Sequence, residues 1–390
     1  MITVNANTYE EIIHMIKKES KNIKREFEYD DRECVPVWFT NAIFNEDRVW
    51  FSGVDFNGLF RGNINTGKVE LIDFFPEALN SEWLHFRSEI VGKNIYFIYD
   101  GKNKVNVFDI ERNVFTDRLI IPFKQKNNYR ITFSYTVKDD IYLFGNGIEV
   151  YKLNTKNNTI SYLEKLSREM YVDDNAVLSN QIGVRGNTLF IPVYKSNIIM
   201  EVNLKKNYAI RHLFKEEIEI CGCYYDRDIF WISGNNMIMK CDEKFDIISE
   251  FVNNNKTIKF DFQEIRRLEN QILFLDNGNK GILKLDLDSL NWSYIFGERK
   301  YQRIRSRWNN VLFFVANNLD DGYFFDLDSY TLKNLKDDKV NVRFLVKRSE
   351  IKEKIDSRNR RMFEDEKIIK EDDKLFTLDS YLDEIEKMVK

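Results

Sequence analysis

Arg48-Val-Trp-Phe-Ser52 sets a pattern that the chain repeats: one polar residue, then β-branched and aromatic residues in unbroken succession. It returns as Asn94-Ile-Tyr-Phe-Ile98, Asp140-Ile-Tyr-Leu-Phe144, Asn187-Thr-Leu-Phe-Ile191, Asp228-Ile-Phe-Trp-Ile232, Asn270-Gln-Ile-Leu-Phe274 and Asn310-Val-Leu-Phe-Phe314. Successive starts lie 46, 46, 47, 41, 42 and 40 residues apart. A short apolar run bounded by turn formers reads as a strand covered on both faces. Its return at this interval predicts seven copies of one unit.

Outward from the first run, Thr40-Asn-Ala-Ile-Phe44 precedes it, and Gly58-Leu-Phe-Arg-Gly-Asn-Ile64 and Lys68-Val-Glu-Leu-Ile-Asp-Phe74 follow. Asn, Asp and Gly separate the four segments, so the unit reads as a four-stranded meander. The third segment also returns, as in Val105-Asn-Val-Phe-Asp-Ile110, Ile148-Glu-Val-Tyr-Lys-Leu153 and Ile282-Leu-Lys-Leu-Asp-Leu287. The second segment is apolar nearly throughout, whereas the third and fourth alternate; this gradient suits sheets stacked face to face with exposed outer strands. Pro192 falls at the end of its run, where a missing N–H is tolerable.

The 390 residues carry 59 basic and 63 acidic side chains. So balanced a surface argues against a nucleic-acid binder, which needs a concentrated positive field. The start lacks a basic, then apolar, leader, and no run approaches the roughly 20 apolar residues of a membrane span. The expectation is a soluble cytoplasmic protein with no membrane partner. Its 31 Phe, 19 Tyr and 6 Trp are ample to fill the space between sheets. Four cysteines, Cys34, Cys221, Cys223 and Cys241, are too few for a disulfide framework. Cys221-Gly-Cys223 is too tightly spaced for a zinc knuckle and no second pair follows. It reads as two thiols on one strand face. No metal and no cofactor are expected.

Three parts follow: residues 1–34 with an amphipathic helix from Thr8 through Tyr9, Ile12, Ile13, Ile16, Ile23 and Phe27; a repeat region, 35–347; and a charged helical tail, 348–390, whose Leu378, Tyr381, Leu382, Ile385, Met388 and Val389 share a stripe. Both stripes suit docking on the chain's own repeats or in a partner's groove. Ile2-Thr-Val4 or Val340-Asn-Val-Arg-Phe-Leu-Val346 would tie the ring's ends, and the later segment is favoured.

From Trp38 to Leu335 the chain resembles the β-propeller superfamily in period and strand pattern. It is similar to bacterial seven-bladed propellers of the kelch-like or tryptophan–aspartate-repeat-like kind that lack those families' signatures. No Gly-His and Trp-Asp pair recurs per repeat, and neither kelch glycine pairs nor the sialidase Ser-x-Asp-x-Gly-x-Thr-Trp box is present. The resemblance implies an all-β, seven-bladed propeller of four-stranded antiparallel blades, with short amphipathic helices at both termini.

In such a ring the first strand of each blade lines a central channel. Counting back from each apolar run places Asn41, Arg87, Ser88, Ser134, Asn180, Gln181, Cys221, Gly222, Gln263, Glu264 and Arg303 there, with Trp38, Trp83, His85, Arg266 and Arg305 nearby. The candidate ligand-binding residues are Trp38, Asn41, Trp83, His85, Arg87, Ser134, Gln181, Glu264, Arg266, Arg303 and Arg305. Guanidinium forks take carboxylates or phosphates, amides read hydroxyls and indole faces suit sugar rings. The competing account is a wet channel with charges paired across it. Alternation would put Arg303, Arg305 and Arg307 on one face beside Arg299 and Lys300.

No catalytic residue is assigned. Of His14, His85 and His212, only His85 sits near a channel strand, and no second histidine joins it. Gly-rich phosphate loops, His-x-x-x-His spacings and a Gly-x-Ser-x-Gly elbow are lacking. The function expected is a non-catalytic binding or scaffolding module that recognises a protein, peptide or glycan through one channel face. A small sugar or anion is a further candidate ligand. The alternative is a carbohydrate-active or small-anion-active hydrolase or lyase at the channel mouth, with Glu89 or Glu264 as acid or base.

Overall fold

The computed structural model describes most of residues 34–354, together with residue 357. Outside the description lie 1–33, 37–38, 46, 54–56, 64–65, 67, 77–84, 86, 100, 125–129, 146–147, 216, 253–261, 277–280, 298–299, 309–310, 318–323, 334–335, 344, 348, 355–356 and 358–390. Both expected terminal helices fall largely on these residues, apart from helical turns over 349–354 and at 357.

After β1 (Cys34–Pro36), six four-stranded antiparallel meanders follow in chain order. They are β2–β5 (Phe39–Asn45, Arg48–Gly53, Leu59–Asn63, Val69–Asp73), β6–β9 (Arg87–Val91, Asn94–Ile98, Lys104–Asp109, Val114–Ile120), β10–β13 (Ile131–Val137, Asp140–Gly145, Val150–Asn154, Thr159–Tyr162), β14–β17 (Gly183–Arg185, Thr188–Pro192, Ile198–Asn203, Tyr208–Leu213), β18–β21 (Ile220–Asp226, Ile229–Gly234, Met237–Cys241, Ile247–Val252) and β22–β25 (Phe262–Leu268, Gln271–Asp276, Ile282–Asp286, Trp292–Ile295). The strands β26–β29 (Lys300–Trp308, Val311–Asn317, Phe324–Lys333, Lys336–Arg343) pair in the same order, and of their side chains only Leu312 is described. Neighbouring sheets meet through their first strands: β2 beside β6, β6 beside β10, β14 beside β18, β18 beside β22, β22 beside β26 and β26 beside β2.

The apolar runs become the second strands because those are sandwiched between neighbouring sheets. On β7, Ile95 and Phe97 pack with Trp50 and Leu59 of the preceding sheet, while Tyr96 and Ile98 pack with Ile141, Leu143 and Leu153 of the following one. Phe190 of β15 joins Phe230 and Ile232 of β19, and Trp231 faces the other way onto Ile272 and Phe274 of β23. Each of these strands thus buries both alternating sets of its described side chains, which removes the polar face an isolated sheet would show. The outermost strands keep exposed apolar residues, among them Leu213 and Ile248.

Two-residue turns join the first strand to the second. Their leading residue takes left-handed φ: Gly92 at 58°, Lys138 at 55° and Gly186 at 59°. Glycine adopts this without a Cβ clash, whereas Lys138 does so at some cost.

The ends are tied differently from the expectation. Val340–Arg343 belong to β29, the outermost strand of the last sheet, and β30 (Leu345–Lys347) pairs antiparallel with β1, Val346 opposite Val35. A helix absent from the sequence reading, α1 (Glu164–Met170), follows β13 and buries Leu166 and Met170 between the third and fourth sheets.

Candidate functional site

The first strands are not regular. Between Ile131 and Phe133 the β10 register slips by one residue, as it does between Ile220 and Gly222 on β18 and between Phe262 and Glu264 on β22. The same slip occurs near the start of β2 and β26. A bulge turns its extra residue out of the ladder, and bulges gather where a sheet rim must re-aim a side chain. On β10 and β18 the extra residues are Thr132 and Cys221, and both line a cavity of ≈ 280 Å³ at that end of the channel.

Five sheets contribute to this cavity. Arg87 enters from β6, Arg130 from the residue before β10, and Glu264 from the flank of the β22 bulge, where it is 3% exposed. Ser179 and Asn180 come from the segment ahead of β14. That segment hydrogen-bonds alongside β15: Ser179 N donates to the Pro192 carbonyl and Tyr194 N to that of Val177. Pro192 supplies the acceptor it can and avoids the donor it lacks. Val177, Leu178 and Tyr194 form the apolar part of the wall. The Asn180 Oδ1 is buried without a hydrogen-bond partner.

Below the cavity, polar side chains link the first strands. Ser134 and Thr136 on β10 donate to Glu89 on β6 at 2.6 and 2.7 Å. Burial raises the Glu89 carboxyl above its ordinary range, against the lowering by these hydroxyls and by Arg87. Gln181 donates through Nε2 to the Cys223 carbonyl at 3.2 Å and accepts from Arg266, which also donates to the Ile265 carbonyl at 2.8 Å. The Ser179 hydroxyl bonds the Cys221 carbonyl and accepts from Gln181 N at 3.1 Å. On the strands' far ends Arg267 pairs with Asp226.

Of the expected ligand-binding residues, the structure brings Arg87 and Glu264 to the cavity and Ser134, Gln181 and Arg266 to the network beneath it. His85 goes elsewhere. It is 1% exposed among Phe75, Phe97 and Tyr99, with ring centroids 4.2, 5.5 and 5.4 Å away, and burial lowers its pKa to about 3. Asn41 lies on β2, and Arg303 and Arg305 on β26, at positions whose side chains fall outside the description; Trp38 and Trp83 lie outside the described residues altogether. A second slip falls between Arg305 and Trp308, so the ladder does not run unbroken from Arg303 through Arg307.

Cys221 and Cys223 do not share a setting as simple alternation predicts. The bulge puts Cys221 at the cavity, while Cys223 packs with Phe190 and Ile199 of the neighbouring sheet. Glu89 is not among the cavity's described lining residues, so Glu89 and Glu264 do not meet there. Arg130, Thr132 and Tyr194 escaped the sequence reading. Two glycines could have signalled the bulges: Gly145 lies opposite Ile131 and Gly234 opposite Ile220. Among the described residues no group of three His, Cys, Asp or Glu side chains suits a metal, and no helix is long and apolar enough to cross a membrane.

Neither a protein-family model nor a curated protein matches this sequence. Solved structures do resemble it. YCF48 bound to D1 peptide superposes with a TM-score of 0.56 at 11% identity, over 79% of this chain and 99% of that one. A catalytically inactive virginiamycin B lyase from Staphylococcus aureus with quinupristin gives 0.56 at 13%, over 77% and 97%. Dihydro-heme d1 dehydrogenase NirN in complex with DHE gives 0.53 at 12%, over 85% and 78%. At such identities the likeness is one of fold. The chain is a β-propeller, built of four-stranded antiparallel blades without the signature motifs of the common propeller families.

Proposed function

We propose that this chain is a seven-bladed propeller spanning residues 35–347 that acts as a non-catalytic binding module, taking a protein, peptide or glycan at the bulged mouth of its channel. The four-stranded pairing of β26–β29 between β22 and β2 supports the seventh blade. The observation that carries the binding reading is the convergence of five sheets on one cavity that joins arginines, a buried carboxylate, small polar groups and an apolar wall. Such a mixture is how proteins orient a ligand while burying it. Among structures of like fold, YCF48 is bound to a peptide and Atg21 to a coiled coil, which is consistent with a protein or peptide partner here.

The test is affinity capture from lysate with the intact chain and with a triple alanine variant at Arg87, Arg266 and Arg305. A partner held by the first and lost by the second is the expected result, and equal retention rejects the channel mouth. Deleting residues 349–390 in the same assay separates a contribution of the tail.

One observation favours an acid–base enzyme instead: burial holds the Glu89 carboxyl toward its protonated form. That Glu89 is not among the cavity's described lining residues weighs the other way. Turnover of any glycoside that is abolished in Glu89→Gln and in Glu264→Gln would establish that second reading.

A further inference from the structure

The lining of the channel-mouth cavity has a charge pattern that a simple anion, a simple cation and a neutral sugar each leave partly unmatched. Arg87 and Arg130 present two guanidinium groups, yet Glu264 stands in the same wall with its side chain almost wholly removed from solvent. A dianion placed against both arginines meets the Glu264 carboxylate, and a cation placed against Glu264 meets the arginines. Arg87, Arg130 and Glu264 each already interact within the protein, and since a guanidinium has five donors and a carboxylate about four acceptor sites, capacity for a ligand remains beside those contacts. The amide oxygen of Asn180 is a further acceptor, buried and without a partner. Such a group costs roughly 1–3 kcal/mol unless a donor reaches it.

We propose that the cavity binds a small zwitterion of the α-amino-acid type, its carboxylate on Arg87 and Arg130 and its ammonium between Glu264 and the Asn180 amide oxygen. An ammonium offers three donors, enough for a carboxylate and an amide oxygen together. Val177, Leu178 and Tyr194 take the ligand's side chain. The ≈ 280 Å³ suits a molecule of this size and is small for a nucleotide, since pockets for drug-sized ligands run from about 300 to 1,000 Å³. This assignment rests on the channel-mouth reading above.

The test is calorimetric titration of the full chain at neutral pH with the twenty free L-amino acids, and then with the N-acetyl and carboxamide derivatives of the best binder. Expected is a Kd below about 1 mM for at least one free amino acid, weakened about tenfold or more by either derivative. Arg130→Gln should weaken the free amino acid about tenfold while leaving the carboxamide unchanged, and Asn180→Leu should weaken it while sparing the N-acetyl form. Arg130→Lys, which retains the charge, serves if Arg130→Gln does not fold. The derivatives require no variant at all. Absence of binding by every free amino acid overturns the proposal. So does an N-acetyl derivative that binds as tightly as its parent; if that binding is lost in Arg130→Gln, the ammonium subsite alone is wrong and the channel-mouth reading stands. The channel-mouth reading itself fails only on retention of the captured partner by the triple alanine variant.

Discussion

The Ser134 hydroxyl on β10 donates to the Glu89 carboxylate on β6 at 2.6 Å, joining the first strands of two neighbouring sheets through a buried acid. Burial dominates and raises the carboxyl from its ordinary 4.5. A raised acid contributes stability that is complete below the unfolded value and is lost as pH rises through the folded value. Glu89→Gln keeps an acceptor oxygen and removes that charge. Urea midpoints at pH 4, 5.5 and 7 should therefore move in favour of the variant, relative to the parent, as pH increases. A constant offset across the three would show that Glu89 is not desolvated.

His85 works in the opposite direction. Its folded pKa is near 3 against 6.5 unfolded, because the imidazole lies among Phe75, Phe97 and Tyr99 with Nε2 only 3.5 Å from Asn106 Nδ2. Protons bind the unfolded chain first, so stability falls as pH drops below about 6.5 and continues to fall toward 3. At pH 4.5 the loss from this group is roughly 3 kcal/mol. His85→Phe should remove that part of the acid sensitivity, read as a Tm that declines less between pH 7 and pH 4.5 than the parent's.

Gly234 ends β19 opposite Ile220, one residue ahead of the β18 bulge. A Cβ there would lie 2.2 Å from the Glu219 carbonyl oxygen, a backbone atom that has no rotamer to yield. Gly234→Ala should cost about 1–3 kcal/mol or more by forcing the inner strand outward. Gly92→Ala is the useful contrast, because nothing lies within 4 Å of its Cβ position and only its φ of 58° resists. Chemical denaturation should rank Gly234→Ala as the more damaging.

Gln181 connects Arg266 to the Cys223 carbonyl. Gln181→Leu leaves a guanidinium and a carbonyl with one partner fewer in a largely buried setting, a loss of roughly 1–3 kcal/mol. Arg266→Met in the same background should recover part of it, since removing both members of a buried pair costs less than removing one. Additive losses in a double-mutant cycle would mean that the two side chains act independently.

The strands were legible because their driving pattern is local. Each apolar run, from Arg48-Val-Trp-Phe-Ser52 to Val311-Leu-Phe-Phe314, became the second strand of its sheet, since a strand covered on both faces has no polar positions to spare. Counting positions back from the apolar runs points to Arg87, Ser134, Gln181 and Glu264, with Arg266 nearby, and these are residues that line the cavity or join the hydrogen bonds beside it. Arg130 and Thr132 were not legible in this way, because counting by twos assumes an unbroken ladder and the β10 bulge breaks it, and Tyr194 was not, because it follows β15 and is held there by its N–H bond to the Val177 carbonyl. His85 was misread for a related reason: proximity to a channel strand in the chain says nothing of whether the ring turns toward the channel or into Phe75 and Phe97.

The amino-acid sequence by itself determined the repeat, its period and the order of strands within each sheet, for these depend on alternation and turn chemistry over a few residues. Only the tertiary structure decided which side chains meet. The bulges that send Thr132 and Cys221 to one cavity, the pairing of Val35 with Val346 and the burial of His85 each depend on how sheets far apart in the chain press together. A local pattern of polar and apolar residues carries no record of that pressure.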